Sequence, residues 1–341
     1  MKTFLLPRAI SNLPSAATSG PGLTRRALSL SAGLAVLCAT GMARAADYPT
    51  RPVELVVAAT AGGGTDVVAR ALADAARKYF PQPIIIVNKP GASSAIGFAD
   101  VANARPDGYK LGVMSVNLVI LPALGLMKVT ADDFIPVAQL NFDPAAITVR
   151  ADAPWKTVEE FLAEAKKKPA GMQVGNGGVG DIWHVAAAAV EDRTGTQFNH
   201  VPFQGAAPAI ASLLGGHVDA ITVSPGEVMQ HVLAGKLKVL AVMSDKRLPG
   251  AYANTPTLKE RNIDLSIGVW RGLAVPKGTP AEVVQALRTA AKATAADPVY
   301  RETLAKANLG DAYLDADGYK AAIDSDRASL KKVLEKLVIQ K

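Results

Sequence analysis

Short glycine- and hydroxyl-rich strings set between an apolar run and a helical one can hold an anion, and this 341-residue chain carries several of them. Ala61-Gly62-Gly63-Gly64-Thr65-Asp66 is the first; there, free backbone N–H groups and the positive end of a helix dipole would face open space. Asn88-Lys89-Pro90-Gly91-Ala92-Ser93-Ser94-Ala95-Ile96-Gly97 repeats the arrangement with two hydroxyls at the helix start. Each string alone is equally well a tight turn with a capping residue. Two in succession, built from small residues, imply room kept for a ligand. Neither is a nucleotide loop, since neither holds GxxxxGK[ST] or GxGxxG and Asp66 in the first would repel a polyphosphate.

A third string, Gly175-Asn176-Gly177-Gly178-Val179-Gly180-Asp181-Ile182-Trp183-His184, places four glycines before a helix whose first turn carries a carboxylate, an indole and an imidazole. Asp181 reads most simply as an N-cap and His184 as a hydrogen-bonded structural histidine. Trp183 is either a flat wall for an aromatic acid or part of a core. Pro202-Phe203-Gln204-Gly205-Ala206-Ala207 and Ser224-Pro225-Gly226 follow the next two apolar runs.

Catalytic readings find little support. The histidines His184, His200, His217 and His231 lie 16, 17 and 14 residues apart with no cysteine nearby, so no metal site is expected. GxSxG and HExxH are missing, and no cluster of carboxylates divides acid and base roles. The expectation is a binding protein without cofactor. Its rivals are an enzyme using Asp181 and His184 as acid and base, and a sensor's binding domain.

Residues 1–45 hold five basic residues and no acidic one, and residues 27–42 are apolar apart from Ser, Gly, Thr and Cys. With Ala43-Arg44-Ala45 behind it, this is the pattern of an export leader cleaved after Ala45. The run is shorter than the roughly 20 residues of a spanning helix. Thr24-Arg25-Arg26-Ala27-Leu28 leaves both the general secretory and the twin-arginine route open. Without the leader the formal net charge falls from +7 to about +2, and Cys38, the single cysteine, goes with it. A nucleic-acid surface and thiol chemistry are then excluded from the mature chain.

What remains is long for one core and comfortable for two lobes. Apolar β-branched runs alternate with Ala-rich helical ones: 53–58 then 67–79, 84–87 then 96–103, and 111–116. The pattern resumes at 172–175, 182–194, 199–201, 206–214, 218–223, 227–234 and 237–243, which is parallel βαβ organisation in two sheets. Thr157 to Glu160 and Thr279 to Glu282 fit helix-capping boxes. An extended segment at 265–276 leads to two or three helices with little strand between them. The chain should cross between lobes near 143–150 and return near 266–273, giving lobe 1 as 46–145 plus 270–341 and lobe 2 as 146–269. Arg271, inside the return crossing, reads as a ligand counter-ion or as a hinge salt bridge.

The strings YPTRPVELVVAATAGGGTD, NKPGASSAIG, ARPDGYKLGV, HVPFQGAAPAIASLLGGHVDA, AGKLKVLAV and TPTL, in this order, closely resemble the Bug or TctC family of periplasmic solute-binding proteins. The resemblance implies an α/β, two-lobed periplasmic-binding-protein fold of type II, the Venus flytrap, with two hinge crossings. It implies a periplasmic monomer that binds a small carboxylate and hands it to integral-membrane subunits of a tripartite tricarboxylate transporter. Carried onto this chain, it places Thr60, Ala61, Gly62, Thr65, Asp66, Ser93 and Ser94 at the carboxylate, with Ser115 at a third strand end. Gly180, Asp181, His184, Gln204, Gly205 and Ser224 would stand opposite. Ser93-Ser94, Asp181 and Trp183 depart from the commoner family pattern; an Asp181 facing the cleft would ask for a donor on the ligand's distal end.

Overall fold

The computed structural model describes residues 48–331 and 333–335, so the export leader and its cleavage after Ala45 lie outside the described residues. Val53–Val57 (β1) is a nearly continuous apolar strand, the composition of a strand covered on both faces. It pairs in parallel with Ile84–Asn88 (β2) and with Lys110–Ser115 (β3). Gly64–Ala75 (α1) and Ala95–Ala102 (α2) make the crossovers, followed by Asn117–Ala123 (α3). Glycine is required at position 97 in α2, where a Cβ would lie 2.6 Å from the Ala58 Cβ and 2.9 Å from the Lys89 carbonyl oxygen.

Phe134–Pro144 (β4) then runs into Ala146–Arg150 (β5) with Ala145 alone between them. Next come Val158–Lys167 (α4), Met172–Asn176 (β6), Ile182–Thr194 (α5), Phe198–Pro202 (β7) and Ala206–Leu214 (α6). Ala220–Val223 (β8), Pro225–Leu233 (α7) and Leu237–Val242 (β9) complete this part. Gly268–Pro276 (β10), Ala281–Ala296 (α8), Pro298–Lys306 (α9), Asp311–Leu314 (β11) and Ala316–Ser329 (α10) follow. One sheet has the order β11-β4-β10-β3-β1-β2 and the other β7-β6-β8-β5-β9. The architecture is the two-lobed α/β arrangement with two crossings. Helix α5 is apolar nearly all round and touches β6, β7 and β8 of its own sheet and β10 of the other.

The sheets are mixed rather than all parallel, which corrects the sequence reading. Strands β4 and β10 pair antiparallel to each other along their whole length, and β10 also runs antiparallel to β3. Strand β5 lies antiparallel to both β8 and β9. The physical reason is direction: a strand that arrives from the other sheet, without a helical crossover, enters from the opposite end. The crossings are therefore shorter than 143–150 and 266–273, most of which is strand. They lie side by side, with Ala145 N donating to Ile267 O at 2.9 Å, Met243 N to Ala145 O at 2.7 Å and Ile267 N to Met243 O at 3.0 Å. Strand β11 pairs with β4, adding an edge strand where mainly helices were expected.

Of the two capping boxes, Thr157 accepts from Glu160 N as expected, while the Glu160 carboxylate reaches Lys156 N. The second is absent. Thr279 lies buried in the turn after β10 and gives its hydroxyl to Pro276 O at 2.8 Å, which leaves Pro280 as N-cap.

Arg271 resolves as a buried ion pair at the crossing. Its side chain is 2% exposed and its Nη1 donates to Asp143, itself 3% exposed, on the paired strand β4. Nη1 also reaches Asn141 Oδ1 at 3.4 Å, Nε donates to Thr65 Oγ1 at 2.9 Å, and Asp143 Oδ1 accepts from Gly310 N at 2.7 Å. Removing one partner strands the other charge in the interior, so Asp143→Ala should cost about 3–5 kcal/mol. Urea unfolding should show a lower midpoint with the slope kept, and the double variant Asp143→Leu with Arg271→Met should recover most of the loss.

Candidate functional site

The C-terminal ends of β1, β2 and β3 face those of β6, β7 and β8 across one cleft, so the loops singled out in the sequence meet there. The cleft holds about 630 Å³ of non-atom space, part of it continuous with solvent. From the first sheet it is lined by Thr60, Thr65, Ser93, Ser94 and Ser115, and from the second by Asp181, Gln204 and Gly205. Trp183 also lines it while 5% exposed, so the indole serves as wall and packing together.

Six expected residues stand outside the lining. Gly62 donates to Asp66 at 2.9 Å, and Asp66 turns into its own helix to bind Arg70 at 2.8 Å and Asn88 at 2.9 Å. Burial works against its charge, but these donors outweigh it and hold the carboxyl below its ordinary range. Ala61 is exposed on the same turn. Gly180, at φ +73°, faces Leu121, Leu124 and Leu126, where a Cβ would lie 2.7 Å from the nearest methyl. His184 accepts from Gly180 N through Nδ1 at 3.2 Å, with its ring 4.7 Å from that of His200, a supporting position. Ser224 gives its N–H and hydroxyl to Glu227 at the start of α7.

Four lining residues carry more of the chemistry than the sequence reading gave them. Asn117 bridges the sheets: its Oδ1 accepts from Ile182 N at 3.0 Å, and its Nδ2 donates to Asp181 Oδ2 at 2.8 Å. Glu227 accepts from Gly64 N at 3.1 Å, so a carboxylate from the second sheet occupies the first amide of α1. A Cβ on Gly64 would meet the Arg271 guanidinium at 2.6 Å and Glu227 Oε1 at 3.2 Å, which is why only glycine fits. Arg271 reaches the lining too, as the expected salt bridge whose guanidinium borders the cleft. The available signals were Asn117 two residues beyond Ser115 and the Ser224-Pro225-Gly226-Glu227 capping box. A further tie joins Ser93 Oγ to Val179 O at 2.8 Å.

Two features mark the site as strained and charged. Ala92, Ser93 and Ser94 take φ of +45°, +53° and +88°, three successive side-chain-bearing residues in the left-handed region. Such residues cost of order 1 kcal/mol or more each. Asp181 caps α5 by accepting from Trp183 N at 2.9 Å, and its carboxyl is pushed up to about 6, chiefly by burial and also by the charge of Glu227, against the Asn117 hydrogen bond. Among the described residues no group of histidine, cysteine and carboxylate side chains is arranged to hold a metal, and no helix is long and apolar enough to cross a membrane.

Ser94→Gly should raise stability by about 1 kcal/mol, read as a higher melting temperature, because glycine adopts this φ without strain. The raised Asp181 value means the folded state holds that proton more tightly than the unfolded chain, whose value is near 3.9. The stability linked to it is complete below about pH 4 and is lost as the pH rises through about 6, a span worth ~3 kcal/mol. Asp181→Asn, which can still cap α5, should remove this slope; equal pH profiles for variant and wild type would refute it.

Comparison with known proteins agrees with the fold. A TctC solute binding protein from Polaromonas, solved without ligand, is 57% identical over 85% of this chain and 99% of its own, with a TM-score of 0.66. An R. palustris protein solved with adipate is 26% identical over 85% of this chain and 98% of its own, at a TM-score of 0.81. MatC from Rhodopseudomonas palustris, solved with bound malate, is 26% identical over 84% and 100%, at 0.78. The family described as the tripartite tricarboxylate transporter family receptor matches residues 68–339, and the chain belongs to it.

Proposed function

We propose that this chain is a periplasmic receptor that captures a small carboxylate in the cleft and delivers it to the membrane subunits of a tripartite tricarboxylate-type transporter, leaving the ligand chemically unchanged. The observation that carries the reading is the convergence of strand-to-helix loops from both sheets on one cavity, with hydroxyls and helix starts on the first-sheet side. The relatives solved with adipate and malate support a carboxylate as cargo.

In this reading the leader 1–45 is removed after Ala45 and the mature chain acts as a monomer. Residues 46–145 with 270–341 form one lobe and 146–269 the other, rotating about the paired crossings. Thr60, Thr65, Ser93, Ser94 and Ser115 hold the carboxylate, and Asp181, Gln204 and Gly205 close on the ligand from the opposite side. A micromolar ligand needs about 8 kcal/mol. A helix start contributes up to ~2 and charge-assisted hydrogen bonds ~1.5–3 each, so several converging donors suffice without a free cation.

Lobe rotation accords with the superpositions. A relative sharing 57% of its residues would match better than ones sharing 26% if both lobes were arranged alike, yet the ligand-free structure scores 0.66 and the adipate-bound one 0.81. The ties from Asn117, Ser93 and Glu227 across the cleft fit a closed arrangement.

A thermal-shift screen of organic acids tests the proposal. At a hundredfold excess over Kd the matching acid should add about 2.7 kcal/mol, raising the melting temperature by several degrees, and should be recovered unaltered. No stabilisation by any acid, or conversion of a bound one, would overturn it.

A further inference from the structure

The cleft presents more negative charge than a receptor for dicarboxylates should. Its acidic lining residues are Asp181 and Glu227, both from the second sheet, and its single basic one is Arg271. Its Nε and Nη1 are taken by Thr65, Asn141 and Asp143, and its charge is offset by Asp143, while Nη2 lies beside Gly64 on the side that Glu227 Oε1 also approaches without an ion pair. The two carboxylates have hydrogen-bond donors: Asn117 and Trp183 N for Asp181, Gly64 N and Ser224 for Glu227. Neither has a cation among those partners.

Position adds to the count. Asp181 and Asn117 occupy the start of α5, and Glu227 takes the first amide of α1, so two helix starts that would attract a ligand anion already serve the protein's own carboxylates. The start of α6, where Gly205 has φ +106° and no side-chain cap, and the strained Ala92–Ser94 turn are left to receive one. The lining therefore divides into a donor-rich end and an acidic end.

We propose that the cleft selects a zwitterion, an amino acid whose carboxylate meets the Ser93, Ser94 and Gly205 loops and whose ammonium lies between Asp181 and Glu227. This rests on the carboxylate-receptor reading and narrows its ligand class. An ammonium there supplies the hydrogen-bonded cation that neither carboxylate has, whereas a second ligand carboxylate adds a third negative charge to the cleft. The upward shift of the Asp181 carboxyl has the same origin, a negative charge removed from water with hydrogen bonds but no counter-ion.

The test is titration calorimetry on the mature chain at pH 7.5 with the C4 to C6 diacids, malate included, each beside the ω-amino and α-amino monocarboxylic acids and the plain monoacid of the same length. The tightest amino acid should bind at least tenfold more strongly than the tightest diacid. Asp181→Asn and Glu227→Gln, which retain the two helix caps, should each cut that ratio at least tenfold by weakening amino acids while leaving diacids equal or improved. A diacid that binds as tightly as any amino acid overturns the zwitterion assignment and leaves the carboxylate receptor standing. A ratio unchanged in both variants overturns the roles of Asp181 and Glu227. Binding of no acid at all overturns both readings.

Discussion

A guanidinium sealed from water at the point where two sheets join must find all its partners locally, and Arg271 finds them on two other segments. Asp143 and Asn141 come from the neighbouring strand β4, Thr65 from the first turn of α1, and Gly310 is tied in through the other oxygen of Asp143. The pair fixes where β4 and β10 lie beside each other, next to the crossings at Ala145 and Ile267. It also fixes where α1 begins relative to the cleft. A buried ion pair of this kind adds little net stability, but its geometry is hard to substitute, because either charge alone would be strongly unfavourable.

From that anchor the cleft follows. Besides the apolar contact of α5 with β10, the second sheet is tied to the first across the cleft by a few hydrogen bonds: Asn117 with Asp181 and Ile182, Ser93 with Val179, and Glu227 with Gly64. Each is worth about 1 kcal/mol net, somewhat more where a carboxylate takes part. Contacts of that size suit a closure that a ligand can bias, since the two arrangements must stay within a few kcal/mol of each other. The strained Ala92–Ser94 turn and the raised Asp181 carboxyl both lie on this seam, where stability has been given up in favour of a shaped and charged surface.

The loops were legible in the sequence because their chemistry is local. Glycine and hydroxyl residues ahead of a helix announce a turn whatever surrounds them, and helices such as Ile182–Thr194 and Ala206–Leu214 appear where the apolar spacing put them. Strand β4 was not legible, because the polar Gln139, Asn141 and Asp143 interrupt its apolar run yet are 4%, 0% and 2% exposed. Their burial depends on Ala312, Arg271 and Gly310, far away in the chain. The family resemblance placed Asp66, Ser224 and His184 at the cleft, but each turns to a partner within four residues.

By itself, then, the sequence determined the alternation of strands and helices, the two-lobed class and the small-residue loops, since periodicity, capping and glycine content act over a few residues. Which side chains face the cavity was decided only by the tertiary structure. Orientation at a loop end can depend on partners far along the chain, 206 positions apart for Arg271 and Thr65 and 163 for Glu227 and Gly64. The charge of the binding cleft is a sum over such long-range encounters, and no local pattern encodes it.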